Sequence, residues 1–404
     1  MSNARQRSFG DVAFEVTDRA GPSSDDLPVY GVDRKVGLTS EPKYQSKNLQ
    51  RYKHIVHGMF AYNPMRLNIG SIGYCFDDIP PGLVSPDYVV FACNLEKLLP
   101  KFCYYHTKSK PWNDWLSLAG EGSVRERIYF RKLAAYQIRL PPVTYQQAAV
   151  EVLSTLDDKT ELNRRMNETL VEMARALFRD WFVDFGPTRR QMEGATDPAV
   201  IMGHAFPPEK AATLAPLFPA KLGDDGLPEG WKKRDLRSAL TLNYGKALTK
   251  KARRPGPFNV FGSGGVSGTH DTALAKGPSI IVGRKGTVGS LYWTREDFYA
   301  IDTVFYVTSD YPMVYCHRLL ETLGLETMNT DAAVPGLNRD NAYRQEFAFG
   351  GDDLVDAYAE FVGTLAEKSD ANQQENQTLA EMRDLLLPKL MSGEIRLKDV
   401  EAVP

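Results

Sequence analysis

One long amphipathic segment occurs twice in this chain, and that repeat limits the fold more than any other feature. Residues 143–180 read VTYQQAAVEVLSTLDDKTELNRRMNETLVEMARALFRD, and residues 352–389 read DDLVDAYAEFVGTLAEKSDANQQENQTLAEMRDLLLPK. A constant offset of 209 positions, from Asn167 to Asn376, also carries Leu156 onto Leu365, Asn163 onto Asn372, Leu170 onto Leu379 and Leu177 onto Leu386, with no gap. A gapless offset preserves helical phase, so both copies are expected to be helices with the same buried face. Leu156, Asn163, Leu170 and Leu177 recur every seven residues, as do Leu365, Asn372, Leu379 and Leu386. Val152, Lys159, Met166 and Met173 are read as the second row of the seam. Two such helices are expected to pair as a coiled coil, with Asn163 and Asn372 fixing register at some cost in stability.

The segments before each helix are built differently. Residues 1–142 and 226–350 carry short apolar runs broken by Gly, Pro and Asn, such as Val84-Ser85-Pro86-Asp87-Tyr88-Val89-Val90-Phe91 and Ser279-Ile280-Ile281-Val282-Gly283. These read as strands joined by turns. Helices are expected over residues 95–106, 113–118 and 317–328. Val288-Gly289-Ser290-Leu291 matches Ile69-Gly70-Ser71-Ile72, so the globular segments are read as repeating too. The chain therefore divides into a first globular segment (1–142), a long helix (143–185), a Pro- and Gly-rich linker lying against the protein (186–225), a second globular segment (226–350), a second long helix (351–392) and a tail (393–404).

Charge is informative only in its distribution. The net charge is −2, which does not advertise a polyanionic partner. Between Trp231 and Arg254, however, Lys232, Lys233, Arg234, Arg237, Lys246, Lys250, Lys251, Arg253 and Arg254 face a single acid, Asp235. Such a stripe fits either a local phosphate contact or a solvated face. Cys75, Cys93, Cys103 and Cys316 form no C-x-x-C pair and read as free thiols rather than metal ligands. No apolar run reaches membrane length and the N-terminus has no signal-peptide core, so a cytoplasmic location is expected.

A search for catalytic motifs yields none. Asn63-Pro64-Met65 does not complete the Asn-Pro-Pro-aromatic run of adenine methyltransferases, and Gly283-Arg284-Lys285-Gly286-Thr287 lacks P-loop spacing. Gly262, Gly264 and Gly268 miss the dinucleotide spacing. Gly283–Gly286 instead describes a tight turn with a basic tip, whose Arg284 and Lys285 can reach phosphates or a guanine edge.

Several stretches, in order, resemble one family. Phe178-Arg179-Asp180-Trp181-Phe182-Val183-Asp184-Phe185, Gly226-Leu227-Pro228-Glu229-Gly230-Trp231, Ala333-Val334-Pro335-Gly336-Leu337-Asn338 and Leu385-Leu386-Leu387-Pro388-Lys389-Leu390-Met391-Ser392-Gly393-Glu394-Ile395 look like the specificity (S) subunit of Type I restriction-modification enzymes, the HsdS family. The resemblance implies an α+β fold: a tandem pseudo-repeat of two target recognition domains, each followed by a long helix, the helices forming an antiparallel coiled coil. It implies a non-catalytic subunit that reads a bipartite target in double-stranded DNA. It also implies two modification subunits, which use S-adenosylmethionine to methylate adenine at N6, and restriction subunits using ATP and Mg for translocation and cleavage. No metal or cofactor is expected on this chain. The DNA contacts expected are Arg284, Lys285, Thr287, Lys246, Lys250, Lys251, Arg253 and Arg254 in the second domain, with Arg66, Asn68 and Ser71 holding the matching position in the first. Two alternatives stay open: a scaffold or decoy that binds modification subunits without reading DNA, and the specificity subunit of a related Type IIB- or IIG-like system.

Overall fold

Ile138 and Leu140 point inward from a strand whose alternate residues, Gln137 and Arg139, face solvent, the period-2 pattern of a half-buried strand. That strand and its partner at the chain's start frame the first globular segment. The structure, a computed structural model, describes residues 4–21, 26–42, 44–119, 127–328 and 336–395. Of the motifs singled out above, residues 333–335 and the tail beyond residue 395 lie outside the described residues. The chain divides into two compact units, residues 1–163 with 373–404 and residues 164–372. Each unit thus contains a globular segment and half of each long helix, which a linear division at 142 and 226 does not express.

In the first unit, β1 (Arg5–Ser8) pairs antiparallel with β10 (Gln137–Leu140). Between them lie β2 (Ala13–Val16), β3 (Val29–Asp33), β4 (Gly37–Thr39), β5 (Lys53–Ile55), β6 (Phe60–Tyr62), β7 (Ile72–Tyr74), β8 (Gly82–Val84) and β9 (Val89–Cys93). They form two sheets of order β2-β9-β6-β7 and β4-β3-β8-β5. Helices α1 (Pro100–His106), α2 (Lys110–Ala119) and α3 (Phe130–Leu133) follow, then α4 (Val143–Phe182). Helix α1 starts at Pro100, not at residue 95, because the proline suits a first helical turn and residues 95–97 form a separate turn. Buried Gln146 fixes the entry of α4: its Oε1 accepts the Leu99 amide (2.9 Å) and its Nε2 donates to the Lys97 and Pro141 carbonyls.

The second unit repeats this plan. After α5 (Gly186–Met192), α6 (Pro198–Ile201) and α7 (Pro208–Leu214) come β11 (Lys232–Asp235), β12 (Thr241–Tyr244), β13 (Phe258–Gly262), β14 (Gly265–His270), β15 (Ser279–Gly283), β16 (Leu291–Thr294), β17 (Phe298–Ala300), β18 (Val304–Thr308) and β19 (Glu346–Phe349). Helices α8 (Met313–Thr322) and α9 (Arg339–Tyr343) precede β19, and α10 (Asp352–Ser392) follows it. The sheets are β11-β19, β12-β18-β15-β16 and β14-β13-β17. The first two match sheets of the first unit strand for strand, and the third matches β4-β3-β8 without a counterpart of β5, keeping the parallel pairing of β3–β8 in β13–β17. β1 therefore occupies the place of β11. The linker reading of residues 186–225 needs correction. Ile201, Met202, Phe206, Leu214 and Phe218 belong to the core of the second unit, against Trp181 and Phe182.

The family-like stretches owe their composition to packing. Where α4 ends, Asp180 takes a bidentate pair from Arg190 (2.9 and 2.8 Å), and a Cβ on Gly186 would lie 1.9 Å from the Asp180 carboxylate. Trp231 packs on Phe182 and Phe185, and on Gly350, whose added Cβ would sit 2.5 Å from the indole. At the end of α10, Leu387, Leu390 and Met391 are buried in the core of the first unit, and Tyr145 donates to the Ile395 carbonyl (2.9 Å). The four cysteines are free and buried. No helix among the described residues is long and apolar enough to cross a membrane.

The helices pair antiparallel, and the polar seam positions make matched bonds. In the first unit Asn163 Nδ2 donates to Asn376 Oδ1 (3.0 Å) and to Glu375 Oε2 (2.7 Å). In the second, Asn372 Nδ2 donates to Asn167 Oδ1 (2.8 Å). The 209-position offset converts one Asn–Asn bond into the other. Asn163, Asn372 and Leu177 are buried, while Leu156, Leu170, Leu365, Leu379 and Leu386 are half-buried. The second row differs from the expected one. Buried Leu153, Ala174 and Trp181 and half-buried Thr160 and Asn167 form it, whereas Val152, Lys159 and Met166 sit at its margin and Met173 is exposed. An antiparallel partner meets the face one residue further along than the row read from the sequence.

Asn163→Leu alone removes a buried donor and is expected to cost about 1–3 kcal/mol, because Asn376 loses its partner. The double change Asn163→Leu, Asn376→Leu removes both polar groups and is expected to recover most of that loss. A double-mutant cycle by urea unfolding measures the coupling; strictly additive losses would show that the bond carries none.

Candidate nucleic-acid interface

The glycines of Gly283-Arg284-Lys285-Gly286 serve the turn itself. A Cβ on Gly283 would lie 2.0 Å from the Thr287 carbonyl oxygen and 2.3 Å from Ser290 Oγ, and Gly286 has φ of +87°. The loop from β15 to β16 thus folds back on itself, and a side chain at either glycine would open it. Its first residues are also pinned: the amides of Arg284 and Lys285 both donate to the Thr303 carbonyl (2.9 and 3.0 Å).

Arg284 is half-buried, with its guanidinium 4.8 Å from the Tyr244 ring centre and Nη1 donating to the Asp302 carbonyl (3.2 Å). Arg339, at the start of α9, lies over the other contact of this ring at 4.6 Å. Tyr244 is 46% exposed, so two cations share an aromatic platform open to solvent. Such stacking holds a guanidinium in a fixed plane with donors still available. Lys285 and Thr287 are exposed beside it. Sequence reasoning missed Tyr244 and Arg339. The only signal was an aromatic residue and an arginine far apart in the chain, which strand pairing and α9 bring together.

The basic stripe breaks into parts with different roles. Arg234 stacks on Phe349 at 3.7 Å, Lys233 pairs with Glu346 and Arg237 with Asp340, so its first part consolidates the β11–β19 base. Lys246 is exposed and its amide is fixed to the Ala300 carbonyl (3.0 Å). Lys250 and Lys251 lie on an exposed 3-10 turn and make no ion pair among the described residues. Arg253 donates to the Ser267 carbonyl (2.6 Å). Arg254 pairs with Asp271 (2.6 Å), whose carboxyl is held below its ordinary range by that guanidinium. Arg253 and Arg254 therefore brace β14, and the cations of the stripe whose side chains make no ion pair, hydrogen bond or ring contact among the described residues are Lys232, Lys246, Lys250 and Lys251.

In the first unit the loop from β6 to β7 is the topological equivalent of that from β15 to β16. Arg66 and Asn68 are exposed on it. Ser71 is 3% exposed and donates to the Val32 carbonyl (3.4 Å), so its hydroxyl is turned inward and ties the loop to β3. Arg66 and Ser71 line a cleft of about 840 Å³ together with Arg127 and Tyr129; Arg127 donates to the Tyr129 hydroxyl (3.1 Å).

Comparison with known proteins agrees with this layout. Residues 23–172 match the family model described as Type I restriction modification DNA specificity domain. The specificity subunit of the Type I restriction enzyme HindI from Haemophilus influenzae is 25% identical over 406 residues, covering 86% of this chain and 88% of that protein. The MjaIX specificity subunit from Methanocaldococcus jannaschii is 21% identical over 337 residues, 75% of this chain and 71% of that one. The crystal structure of a Type I restriction-modification S subunit from M. genitalium has the same fold, with a TM-score of 0.53 at 14% identity over 96% of both chains. The doubled sheets and paired helices therefore belong to a chain whose residues 23–172 match that DNA specificity domain and which resembles Type I specificity subunits over most of its length.

Proposed function

We propose that this non-catalytic subunit gives a Type I restriction-modification complex its DNA sequence preference by reading a bipartite target, one half with each unit. The observation that carries the reading is that one sheet topology occurs twice in a single chain, each copy followed by a helix of the antiparallel pair. Two similar readers on one chain call for two half-sequences. The complex would include two modification subunits, with S-adenosylmethionine, and restriction subunits, with ATP and Mg, in the cytoplasm. The chain alone is expected to bind DNA weakly and to gain sequence preference with modification subunits bound. Gel shift with and without them tests this. Sequence-blind binding of equal strength in both cases would favour the scaffold reading, which the net charge of −2 and the internal pairing of Arg254 support.

Arg284 and Lys250 are expected to act differently. Arg284→Ala should cost about 1–3 kcal/mol and relax one position in one half-sequence, because a stacked guanidinium can present two parallel donors to guanine. Lys250→Ala should weaken all sequences alike and flatten the salt slope by about one unit. Binding titrations across a set of sequences and salt concentrations separate the two; uniform loss from Arg284→Ala would reduce that residue to a phosphate contact.

The paired helices are proposed to set the gap between the half-sequences. A seven-residue insertion after Asn163 and another after Asn372 keep both heptad rows in phase and lengthen each helix by about 10 Å, on the order of three base-pair rises. Methylome sequencing of cells carrying this variant with its modification subunit should find the same half-sequences with a longer gap. An unchanged gap at full activity would remove the helices as the ruler.

A further inference from the structure

The two units share a pair of adjoining loops, but the Arg-Lys dipeptide sits on a different member of the pair in each. In the second unit the β15–β16 loop carries Arg284-Lys285, and the neighbouring β13–β14 turn, Ser263-Gly264, carries no cation. Ser290 Oγ ties the two together through the Ser263 carbonyl (2.8 Å). In the first unit the equivalent serine, Ser71, ties the β6–β7 loop to β3. Both tethers follow a glycine in the left-handed region, Gly289 with φ of +70° and Gly70 with φ of +84°. Here, however, the hairpin turn holds the dipeptide, Arg34-Lys35, a pair that the sequence reading passed over.

That turn is built to hold its shape. Asp33 Oδ1 accepts the amides of Lys35 (2.7 Å) and Val36 (3.3 Å), and Gly37 closes the turn with φ of +76°. Strand β4 lies directly on β7, since a Cβ on Gly73 would come within 2.9 Å of the Leu38 backbone nitrogen. The Arg34 stem runs along the tethered loop, its Cγ 4.0 Å from where a Cβ on Gly70 would be. Arg34, Lys35 and Arg66 are exposed and make no ion pair among the described residues. Arg34 and Arg66 line the cleft of about 840 Å³, as do Glu15, Glu41 and Asp87. A wall that mixes donors with acceptors suits base edges, which present both, better than phosphates, which only accept.

We propose that Arg34 is the base-reading arginine of the first unit, pairing with a guanine, while Lys35 and Arg66 contact flanking phosphates. The inference rests on the DNA-reading role proposed above. It is tested on the full chain in complex with its modification subunit, by methylome sequencing and by binding to duplexes with each position varied. Arg34→Ala is expected to lower discrimination at one guanine position of one half-sequence by about 5- to 150-fold, leaving the other half and the melting temperature unchanged. Lys35→Ala is expected to weaken binding to all duplexes alike. Arg284→Ala, measured alongside, reports on the other half. If Arg34→Ala leaves both halves intact while Arg284→Ala relaxes one, the assignment of Arg34 is overturned and DNA reading stands. If Arg34→Ala weakens every duplex equally, base reading by Arg34 is overturned as well. If the unaltered complex shows no sequence preference, the DNA-reading role itself fails.

Discussion

Asn163 and Asn376 share a hydrogen bond in the seam of one unit, and Asn167 and Asn372 share its counterpart in the other. An amide buried between helices is stabilised only when its partner arrives at the same level. A slip of one heptad would set Asn167 and Asn376 against leucine and leave Asn163 and Asn372 without an amide partner. The antiparallel register, and with it the half of each helix assigned to each globular segment, depends on this pair of bonds. The leucines of the seam supply burial, which is non-directional and tolerates more than one register.

The helix ends translate that register into domain structure. The aromatic end of α4 buries Phe178, Trp181 and Phe182 in the second unit, and the aliphatic end of α10 buries Leu387, Leu390 and Met391 in the first. The offset relates the two sets position by position. The same place is thus filled by rings in one unit and by aliphatic chains in the other. In the ring-filled end, Asp180, Arg190 and Gly186 add a bidentate ion pair over a residue that can carry no side chain. A bent exit from a long helix needs such a fixed corner, because the last turn leaves its carbonyls without intrahelical partners.

Charge becomes interpretable only when each cation's neighbours are known. Arg234, Arg237 and Arg254 are spent on an aromatic ring or an acid of their own unit. Lys250, Lys251 and Arg34 project from turns. Arg284 lies between these cases: its ring stack and carbonyl bond fix its plane without covering all its donors. For recognition of a base edge, a held guanidinium loses less side-chain entropy on binding than a mobile one. Ser71 and Ser290 use their hydroxyls to tie each loop to a neighbouring segment.

The repeat, the two helices, the asparagines of the seam and the two strand-rich segments were legible in the sequence, because helical phase and strand alternation are local periodicities. The basic glycine turn at residues 283–286 was legible for the same reason. What the tertiary structure decided is everything that depends on residues distant in the chain. The second seam row shifted by one position because the partner runs antiparallel, and the sequence of one helix does not record the approach of the other. Residues 186–225 joined a core because Trp181 and Phe182 offered an apolar surface that proline-rich composition does not reveal. The basic stripe separated into braces and free cations because Asp271, Asp340 and Phe349 arrive from far along the chain. The Tyr244 platform and the Arg34 turn arise from strand pairing, and pairing, unlike periodicity, is fixed only when the sheets close.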